Sequence, residues 1–298
     1  MRKPLVSVYI VTYNSSEYIL DALESVKVQS YKNIELIVSD DCSTDNTVEM
    51  VRKWLQENNH FFVNTKLLTV PTNTGVSANV NRARSAAVGK WMKGFAADDM
   101  LMPSCIEDNV TYVLNNPDAQ IVLSNSVVFF DNKKNTLIQK PCGTVLNFFK
   151  LSANEQYVQL VRHNEMIMNP NSQFASAELL KSFRVDERIK FMEDRQFYWY
   201  CTKNGVRIHY LDKETVRYRK HAGALTGTTG KTIVSIKYFD SWVYFFYLIR
   251  KPEMEKMKID VSADEKQILW YLIIKYVFKN KGNIFTKVMS KLLGKFLL

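Results

Sequence analysis

Three apolar runs near the start of the chain each end in polar residues. The runs cover residues 5–11, 34–39 and 91–97, and each is followed by a helical pattern. Strands that alternate with helices in this way predict βαβ units and a parallel sheet. Ligands of such sheets bind beyond the carboxyl ends of the strands, so the polar residues predict a site for a metal-bound, phosphorylated ligand. These residues are Thr12, Tyr13 and Asn14 after the first run, Asp40 and Asp41 after the second, and Asp98 and Asp99 after the third.

The rest of the pattern predicts further elements along the chain. Asn14 and Glu17 resemble a capping box at the start of a helix over residues 17–28. Hydrophobic periodicity predicts a helix that starts near residue 46 and others over 77–88, 152–162, 175–183 and 194–203. Strands are predicted over 67–70 and 121–130, with two short strands over 206–211 and 214–218. From residue 231 onwards we expect helices.

The composition is that of a folded protein with a substantial core. Of the 298 residues, 46% are hydrophobic and 23% charged, which suits one large domain or a domain with an appendage. No stretch of 18 residues is free of charge, so we expect no membrane-spanning helix. The first strand is predicted from residue 5, so we expect no signal peptide before it. The four cysteines form no CxxC pair, which predicts reduced thiols in a cytoplasmic protein.

The positive charge is concentrated at the end of the chain. The net charge is +10, and residues 266–298 contain seven lysines and no acidic residue. On a helix, Lys287, Lys291 and Lys295 fall on one side and apolar residues on another. This pattern predicts a peripheral membrane surface that binds anionic lipid, and a packing helix with solvated lysines is the alternative. The apolar side comprises Ile284, Phe285, Val288, Met289, Leu292, Leu293 and Phe296.

Five segments follow one another in the order and spacing of one enzyme family. They are Val6 to Asn14, Ile37 to Thr47, Asn73 to Gly75, Ala97 to Asp99 with Pro103, and Met192 to Asp194. Together they resemble the family 2 glycosyltransferases of the GT-A fold, of the type that builds bacterial polysaccharides. The resemblance implies a Rossmann-like α/β fold, with a mostly parallel sheet and helices on both faces. It also implies an inverting transfer of a sugar from a nucleotide diphosphate donor, usually with Mn²⁺ or Mg²⁺.

The acidic pair after the third run is the candidate metal site. When the anomeric bond breaks, negative charge builds up on the departing diphosphate, and a divalent cation neutralises it. Oxygen ligands select Mg²⁺ or Mn²⁺, and the resemblance assigns Asp99 as the metal ligand and Asp98 as a ribose or metal contact. The family commonly has a further acid where this chain has Ala96. A polar turn between strand and helix is the alternative.

The polar residues after the first two runs are the candidate nucleotide site. The resemblance implies that Asp41 accepts a hydrogen bond from a uracil-type N3–H and that Tyr13 stacks or packs on the base. Asp40 would hold the loop. The alternative for the segment from Asp40 to Thr47 is a cluster of capping and turn residues. Arg82 would pair with a phosphate or with a structural carboxylate. The residues assigned to the nucleotide sugar are Thr12, Tyr13, Asn14, Glu17, Asp41, Asn73, Gly75, Asn79, Arg82, Asp98 and Arg219.

The catalytic base is expected near residue 194. An inverting transfer needs a group that takes the proton of the acceptor hydroxyl, and a carboxylate suffices because that proton becomes acidic late in the step. The resemblance assigns this role to Asp194, with Glu193 orienting it or contacting the acceptor. Acidic residues that stabilise a helix N-terminus are the alternative. Tyr198, Trp199 and Tyr200, further along the same helix, are expected in the core, and stacking on an acceptor sugar is the alternative.

A basic segment precedes a glycine-rich loop near the end of the expected domain. Arg217, Arg219 and His221 resemble a late Arg-x-His element of the family. This implies that Arg219 contacts the diphosphate, for which a guanidinium is suited, and that His221 is a metal ligand. The loop over residues 223–230 is a candidate lid over the ligand.

We therefore expect two parts of different function. Residues 1–225 would form the GT-A domain, with a nucleotide-binding half over 1–130 and an acceptor half over 131–225. Residues 226–298 would form a helical, basic extension. The expected reaction moves a hexosyl or N-acetylhexosaminyl group from a UDP-sugar to a hydroxyl of a glycan or lipid-linked oligosaccharide. It would take place at the inner face of the cell membrane.

Two other functions stay open at the level of the sequence. A nucleotidyltransferase normally has a glycine-rich phosphate loop after the first strand, and residues 12–16 contain no glycine. A catalytically silent nucleotide-sugar-binding module would tolerate Ala96. Nucleic-acid binding is not expected, because no basic-aromatic motif accompanies the lysines. A homo-oligomer also stays open.

Overall fold

The structure is a computed structural model that describes residues 3–130, 133–141, 143–163, 170–221 and 232–297. The chain divides into two compact units. The larger comprises Met1–Glu187 and Glu193–Arg219, and the smaller comprises Arg188–Met192 and Lys220–Leu298. Every candidate site residue except His221 belongs to the larger unit.

The larger unit is built on one mixed sheet. Its strands lie in the order β3-β2-β1-β4-β8-β6-β9-β5, and β7 pairs with β6. β3, β2, β1 and β4 are parallel to one another, whereas β8, β5 and β7 pair with their neighbours in the antiparallel sense. The strands are β1 (Val6–Thr12), β2 (Ile34–Asp40), β3 (Asn64–Leu68), β4 (Trp91–Ala96), β5 (Met100–Leu101), β6 (Ile121–Phe130), β7 (Lys133–Gln139), β8 (Phe174–Ser176) and β9 (Ile208–Lys220).

Helices cover both faces of this sheet, as the sequence predicts. Successive side chains of β1 point to opposite faces of the sheet. Val6, Val8 and Ile10 pack into the main apolar core with α1, α2 and α4, whereas Tyr9 meets Arg84 of α3 on the opposite face. The helices are α1 (Ile19–Lys27), α2 (Thr47–Asn58), α3 (Val76–Ala86), α4 (Cys105–Asn115), α5 (Gly143–Phe148), α6 (Ala153–Arg162), α7 (Ala177–Lys181) and α8 (Glu193–Lys203).

A buried carboxylate ties the parallel strands together on the α3 face. Glu35 of β2 accepts hydrogen bonds from the hydroxyl of Ser7, from Lys66 Nζ at 2.8 Å and from the backbone N–H of Val88 at 2.9 Å. Burial alone would raise the pKa of Glu35, but these hydrogen bonds outweigh it and hold the pKa below its usual value. The charged form of Glu35 therefore stabilises the junction of β1, β2 and β3.

Three local predictions are wrong. The helix expected over 175–183 is the shorter α7 (Ala177–Lys181), because residues 174–176 form strand β8. The expected short strands over 206–211 and 214–218 are one strand, β9, because Asp212 stays in the ladder and accepts a hydrogen bond from Asn125 at 2.8 Å. The expected capping box of Asn14 and Glu17 is absent, since α1 begins at Ile19 without a side-chain cap. The Asn14 side chain instead accepts a hydrogen bond from the neighbouring loop.

The smaller unit is helical, as expected. Tyr271 and Ile274 are fully buried in its apolar cluster, and Asp240 accepts hydrogen bonds from Tyr271 and Lys275, both at 2.6 Å. None of the helices in the described ranges is both long and apolar enough to cross a membrane. The helices are α9 (Ile236–Phe245), α10 (Lys251–Lys256), α11 (Ser262–Leu272) and α12 (Ile284–Leu297), with π-helical turns at Phe246–Arg250 and Ile273–Val277.

The last helix presents apolar side chains to the solvent. Its buried positions are polar: Thr286 and Ser290 face inward, and Trp270 Nε1 donates to the carbonyl of Ser290 at 3.0 Å. Several large apolar residues of the same helix are more than half exposed. They are Ile284 (85%), Phe285 (67%), Val288 (51%) and Leu292 (53%).

Candidate active site

The three polar groups predicted from the sequence meet at one edge of the sheet. Thr12 lies opposite Asp40 in the β1–β2 register, and Val11 lies opposite Ala96 in the β1–β4 register. The carboxyl ends of β1, β2 and β4 therefore coincide, and the residues that follow them share one rim. This is the position at which open α/β sheets bind ligands.

The loops after β1 and β2 are bound to each other by side-chain acceptors. Asn14 accepts a hydrogen bond from the N–H of Thr44 at 2.8 Å, and Asp45 accepts one from the N–H of Ser16 at 3.0 Å. Asp40 accepts the N–H of Ser43 at 2.8 Å, which is the loop-holding role expected for it. Asn14 has a φ of 48°, a conformation that asparagine tolerates better than most residues. The rim is thus fixed before any ligand binds.

Asp41 organises the turn that contains Asn73 and Gly75. Its carboxylate accepts hydrogen bonds from the N–H of Gly75 at 2.7 Å, from the N–H and hydroxyl of Thr74 and from Arg82 at 3.1 Å. Asn73 donates to the backbone carbonyl of Asp41 at 3.1 Å. The carboxylate is only 3% exposed, so its donors within the protein already occupy it. Its contact with a base edge stays a prediction.

Asn79 and Arg82 reach the rim from α3. Asn79 donates to the carbonyl of Ser39 at 2.9 Å and accepts from Arg82 at 2.8 Å. Arg82 also donates to Asp41 and to the hydroxyl of Ser39. Of the two pairings that the sequence left open for Arg82, the structure has the one with a structural carboxylate. About a fifth of the side chain remains exposed (21%).

The residues that face the solvent at this rim are aromatic and polar. The Tyr13 side chain is 48% exposed, and Asn14, Glu17 and Asn73 are also exposed. Thr12 is buried, and its hydroxyl has no hydrogen-bond partner within the described residues. A buried hydroxyl without a partner is costly, and Thr12 is the residue that ends β1 at this rim. The exposed ring of Tyr13 is suited to stacking on a base.

The acidic pair after β4 divides into a buried and an accessible carboxylate. Asp99 is 2% exposed, and its two oxygens accept hydrogen bonds from the N–H of Arg219 at 3.0 Å and from Asn171 Nδ2 at 3.3 Å. Burial raises the pKa of Asp99 to about 8, and neighbouring Asp98 adds to the effect, whereas the two donors and Lys93 oppose it. Asp98 is only half-buried. Asp98 is therefore the member of the pair that solvent reaches more easily.

Arg219 is held inside the protein at the end of β9. Its Nε donates to the carbonyl of Asp98 at 2.9 Å, and its Nη2 pairs with Asp21 at 2.7 Å. The guanidinium also lies between the rings of Tyr18 and Phe129, at 4.8 and 4.7 Å from their centroids. These contacts fix the loop of the acidic pair, and a direct contact of Arg219 with the diphosphate stays a prediction.

Asp194 lies in the first turn of α8. It is partly exposed and accepts a hydrogen bond from the N–H of Arg195 at 2.7 Å. Desolvation by the surrounding protein raises the pKa of Asp194, and the positive charges of Arg195 and Arg84 act against it. A carboxylate with a raised pKa is a better proton acceptor. Glu193 precedes it and is also partly exposed.

Two of the three aromatic residues expected in the core are core residues, whereas Tyr200 is only half-buried. Tyr198 and Trp199 are 1% and 5% exposed, and Trp199 packs edge-on against Tyr157 with ring centroids 5.7 Å apart. They anchor α8 in the larger unit. Stacking on a sugar is excluded for two rings that are this deeply buried.

The donor set of the acidic pair fits a hard divalent cation. Mg²⁺ and similar ions are held by one or two carboxylates and otherwise by substrate phosphates and water. Within the described residues no group of three or more histidine, cysteine or acidic side chains could hold an ion, and a pair of carboxylates completed by a diphosphate does not need one. His221 follows β9 in the smaller unit, and its role as a metal ligand stays a prediction. The candidate lid over 223–230 lies outside the described residues.

The sequence reasoning missed the supports of the acidic pair. Lys93, Asn171 and Asp21 were assigned no role, yet all of them lie within one or two hydrogen bonds of Asp98 or Asp99. Lys93 offered a signal, because a lysine interrupts an otherwise apolar strand. Asn171 and Asp21 offered none, since each is remote in sequence from the pair.

The mixed sheet, its two helical layers and the rim at the ends of its parallel strands define a protein of the GT-A fold class. Solved structures support this. TarS of Staphylococcus aureus, residues 1–349 in complex with UDP, matches with a TM-score of 0.57 at 22% identity over 89% of this chain and 80% of that one. The mannosyltransferase PcManGT of Pyrobaculum calidifontis with GDP-Man and Mn²⁺ matches with a TM-score of 0.52 at 18% identity over 72% and 56%. At these identities the likeness shows the fold.

Sequence comparison gives the family. Residues 7–175 match the sequence profile of glycosyl transferase family 2, and the chain belongs to this family. It is 28% identical over 222 residues to an uncharacterized glycosyltransferase of Methanocaldococcus jannaschii, covering 74% of this chain and 72% of the relative. It is 26% identical over 277 residues to one of Haemophilus influenzae, covering 93% and 97%. TarS, a poly(ribitol-phosphate) beta-N-acetylglucosaminyltransferase, is 25% identical over 213 residues, which are 68% of this chain and 36% of TarS.

Proposed function

We propose that this protein transfers a sugar from a UDP-sugar to a hydroxyl group, with inversion at the anomeric carbon. The observation that carries the proposal is the shared rim of β1, β2 and β4, which collects the acidic pair and the Asp41 turn in a family 2 chain. TarS has been solved with UDP and with UDP-GlcNAc, which favours a uridine donor. The transferred group is expected to be an N-acetylhexosaminyl or hexosyl group.

The nucleotide would lie across the loops after β1 and β2. Tyr13 offers an exposed ring for the base, and the neighbouring Thr12 has a hydroxyl for which the described residues supply no partner. Asn73 and Glu17 are exposed beside them. Asp41, Asn79 and Arg82 hold this surface in shape through their mutual hydrogen bonds. Binding of the nucleotide would therefore require little rearrangement of this surface, which lowers the free-energy cost of binding.

A divalent cation, Mn²⁺ or Mg²⁺, would be held by the acidic pair. The sequence assigned Asp99 as the metal ligand, but donors occupy both of its oxygens. We therefore propose that the half-buried Asp98 would face the ion and that Asp99 would keep the pair in place through its bonds to Arg219 and Asn171. When bound, the cation would neutralise the charge that develops on the departing diphosphate. A neighbour in the fold class has been solved with Mn²⁺.

Asp194 would take the proton of the attacking hydroxyl. It is partly exposed in the first turn of α8, and its raised pKa suits a proton acceptor. Glu193 would orient the acceptor.

The acceptor would be a glycan or lipid-linked oligosaccharide at a membrane surface. The exposed apolar side chains of α12 are accompanied by exposed lysines, among them Lys279, Lys281, Lys287 and Lys291. An apolar face flanked by positive charge is the pattern of a helix that lies in an anionic lipid interface. We therefore place the protein at the inner face of the cell membrane, in surface polysaccharide synthesis.

The test is slow hydrolysis of UDP-sugars, in which water replaces the acceptor. We expect Asp194→Asn to abolish UDP release but to bind UDP as the wild type does. Glu178→Gln, which changes an exposed acid in the first turn of α7, is the matched control and should leave UDP release unchanged.

Three outcomes would contradict the proposal. UDP binding without hydrolysis or transfer by the wild type would indicate a silent binding module. Release of pyrophosphate from UTP and a sugar 1-phosphate would indicate a nucleotidyltransferase. Full activity of Asp194→Asn would refute the assignment of the base.

A further inference from the structure

A buried lysine lies beneath the acidic pair. Lys93 of β4 is 0% exposed, and its Nζ donates to the backbone carbonyls of Asn171 and, at 3.2 Å, Gly94. An ammonium group is costly to bury unless it is hydrogen-bonded and compensated by negative charge. The two carbonyls and the nearby Asp99 offset part of this cost. Lys93 therefore fixes the backbone of Asn171 at a defined position under the site.

Each polar group of the Asn171 side chain has its own partner. Oδ1 accepts a hydrogen bond from the hydroxyl of Ser126 at 3.0 Å, and Nδ2 donates to Oδ2 of Asp99 at 3.3 Å. A serine hydroxyl can donate or accept, so Ser126 holds the Oδ1 end of the amide in place, and the accepting oxygen of Asp99 selects the nitrogen for the other end. The amide nitrogen must then point at Asp99. Lys93 and Ser126 together thus aim one donor at one carboxylate oxygen.

The other oxygen of Asp99 is fixed from a different element. The N–H of Arg219 in β9 donates to Oδ1 at 3.0 Å. With one donor on each oxygen, the plane of the carboxylate and the backbone that links it to Asp98 are both determined. Loss of the Asn171 donor would leave Oδ2 buried without a partner, which is unfavourable, and the carboxylate would turn to find another.

We propose that Asn171 is a positioning residue for metal binding, which orients Asp99 and through it holds Asp98 ready for the divalent cation of the donor. The inference rests on the proposed function, since it concerns the cation that the acidic pair would hold. It goes beyond that function in assigning a task to Asn171, Ser126 and Lys93, to none of which the sequence analysis gave a role.

The experiment measures metal binding rather than turnover. Mn²⁺ is titrated into full-length protein saturated with UDP, and UDP is titrated separately in EDTA. Asn171→Leu removes the amide at similar size, and Ser126→Ala removes the hydroxyl that orients it without touching Asp99. Ser124→Ala is the matched control, because Ser124 is a buried serine of the same strand whose hydroxyl pairs with Thr215 at 2.6 Å.

We expect Asn171→Leu to weaken Mn²⁺ binding about tenfold, the effect of one hydrogen bond to a charged group. Ser126→Ala should weaken it by a smaller factor, and Ser124→Ala should leave it unchanged. UDP binding in EDTA should be equal in all four proteins. Thermal unfolding of each variant separates a loss of fold, which would lower both affinities, from a loss of metal orientation.

Three results would overturn the inference, and they differ in what else they affect. Wild-type affinity for Mn²⁺ in folded Asn171→Leu would refute the role of Asn171 and leave the proposed function intact. Absence of Mn²⁺ binding by the UDP-loaded wild type would remove both this inference and the proposed metal site. Equal losses in Ser126→Ala and Ser124→Ala would show a general packing effect and would also refute the positioning role.

Discussion

Making the exposed face of α12 polar should release the protein from anionic membranes. Phe285 and Leu292 are 67% and 53% exposed. Full burial of a large apolar side chain contributes about 1.5–3 kcal/mol, so covering the exposed part of each with lipid contributes about 1–2 kcal/mol. The double variant Phe285→Ser/Leu292→Ser should therefore bind vesicles roughly 30- to 1,000-fold more weakly than the wild type.

The assay is co-sedimentation with vesicles of phosphatidylglycerol or of phosphatidylcholine. The matched control is Val88→Ser/Leu114→Ser, which changes two exposed apolar residues of the larger unit, 65% and 54% exposed, and should bind as the wild type does. The wild type should bind more weakly to phosphatidylcholine vesicles than to phosphatidylglycerol vesicles, and more weakly at high salt. The reason is that each lysine near an anionic surface contributes about 1 kcal/mol.

Two results would refute this reasoning. One is equal vesicle binding by the wild type and the Phe285→Ser/Leu292→Ser variant. The other is a wild-type protein that does not bind vesicles but forms a dimer, together with a Phe285→Ser/Leu292→Ser variant that is monomeric. The second result would show that the face is covered by another copy of the chain.

Three further predictions concern the larger unit. Asp194→Asn should lower sugar transfer by about 100- to 10,000-fold, with UDP affinity by calorimetry unchanged. Glu35→Gln should lower the free energy of unfolding at pH 7 by about 1.5–3 kcal/mol, as measured in urea. Because the folded-state pKa of Glu35 is lowered, its contribution is complete above the ordinary glutamate pKa of about 4.3 and is lost as the pH falls through the folded-state value, so the two proteins should converge in acid. Gly94→Ala should cost about 1–3 kcal/mol, since a methyl group there would overlap the ring of Tyr9, and a thermal melt checks it.

The strands and the rim were predictable because local sequence determines them. Apolar runs of six or seven residues that end in polar groups predict buried parallel strands and their carboxyl ends, and β1, β2 and β4 follow these runs closely. The antiparallel part of the sheet was harder. β8 has only three residues, too few for a period to show, and β9 contains a charged pair that looks like a break.

The partners of charged side chains were not predictable in the same way. Whether a guanidinium meets a ligand or a carboxylate depends on residues far away in sequence, as the bond of Arg219 to Asp21 shows. The same holds for Asn171 and Asp99. In α12 the periodicity predicts two faces but not which one is covered. The structure turns Thr286 and Ser290 inward, which places the apolar side outside.

The central claim is that the rim of β1, β2 and β4 binds a UDP-sugar with a metal ion and activates it for transfer. The most direct measurement is UDP release from a panel of UDP-sugars by the full-length protein, with Mn²⁺ or with EDTA. We predict slow release from one donor that EDTA abolishes and that Asp98→Asn reduces. No release from any donor, together with no metal-dependent thermal stabilisation by UDP, would contradict the account.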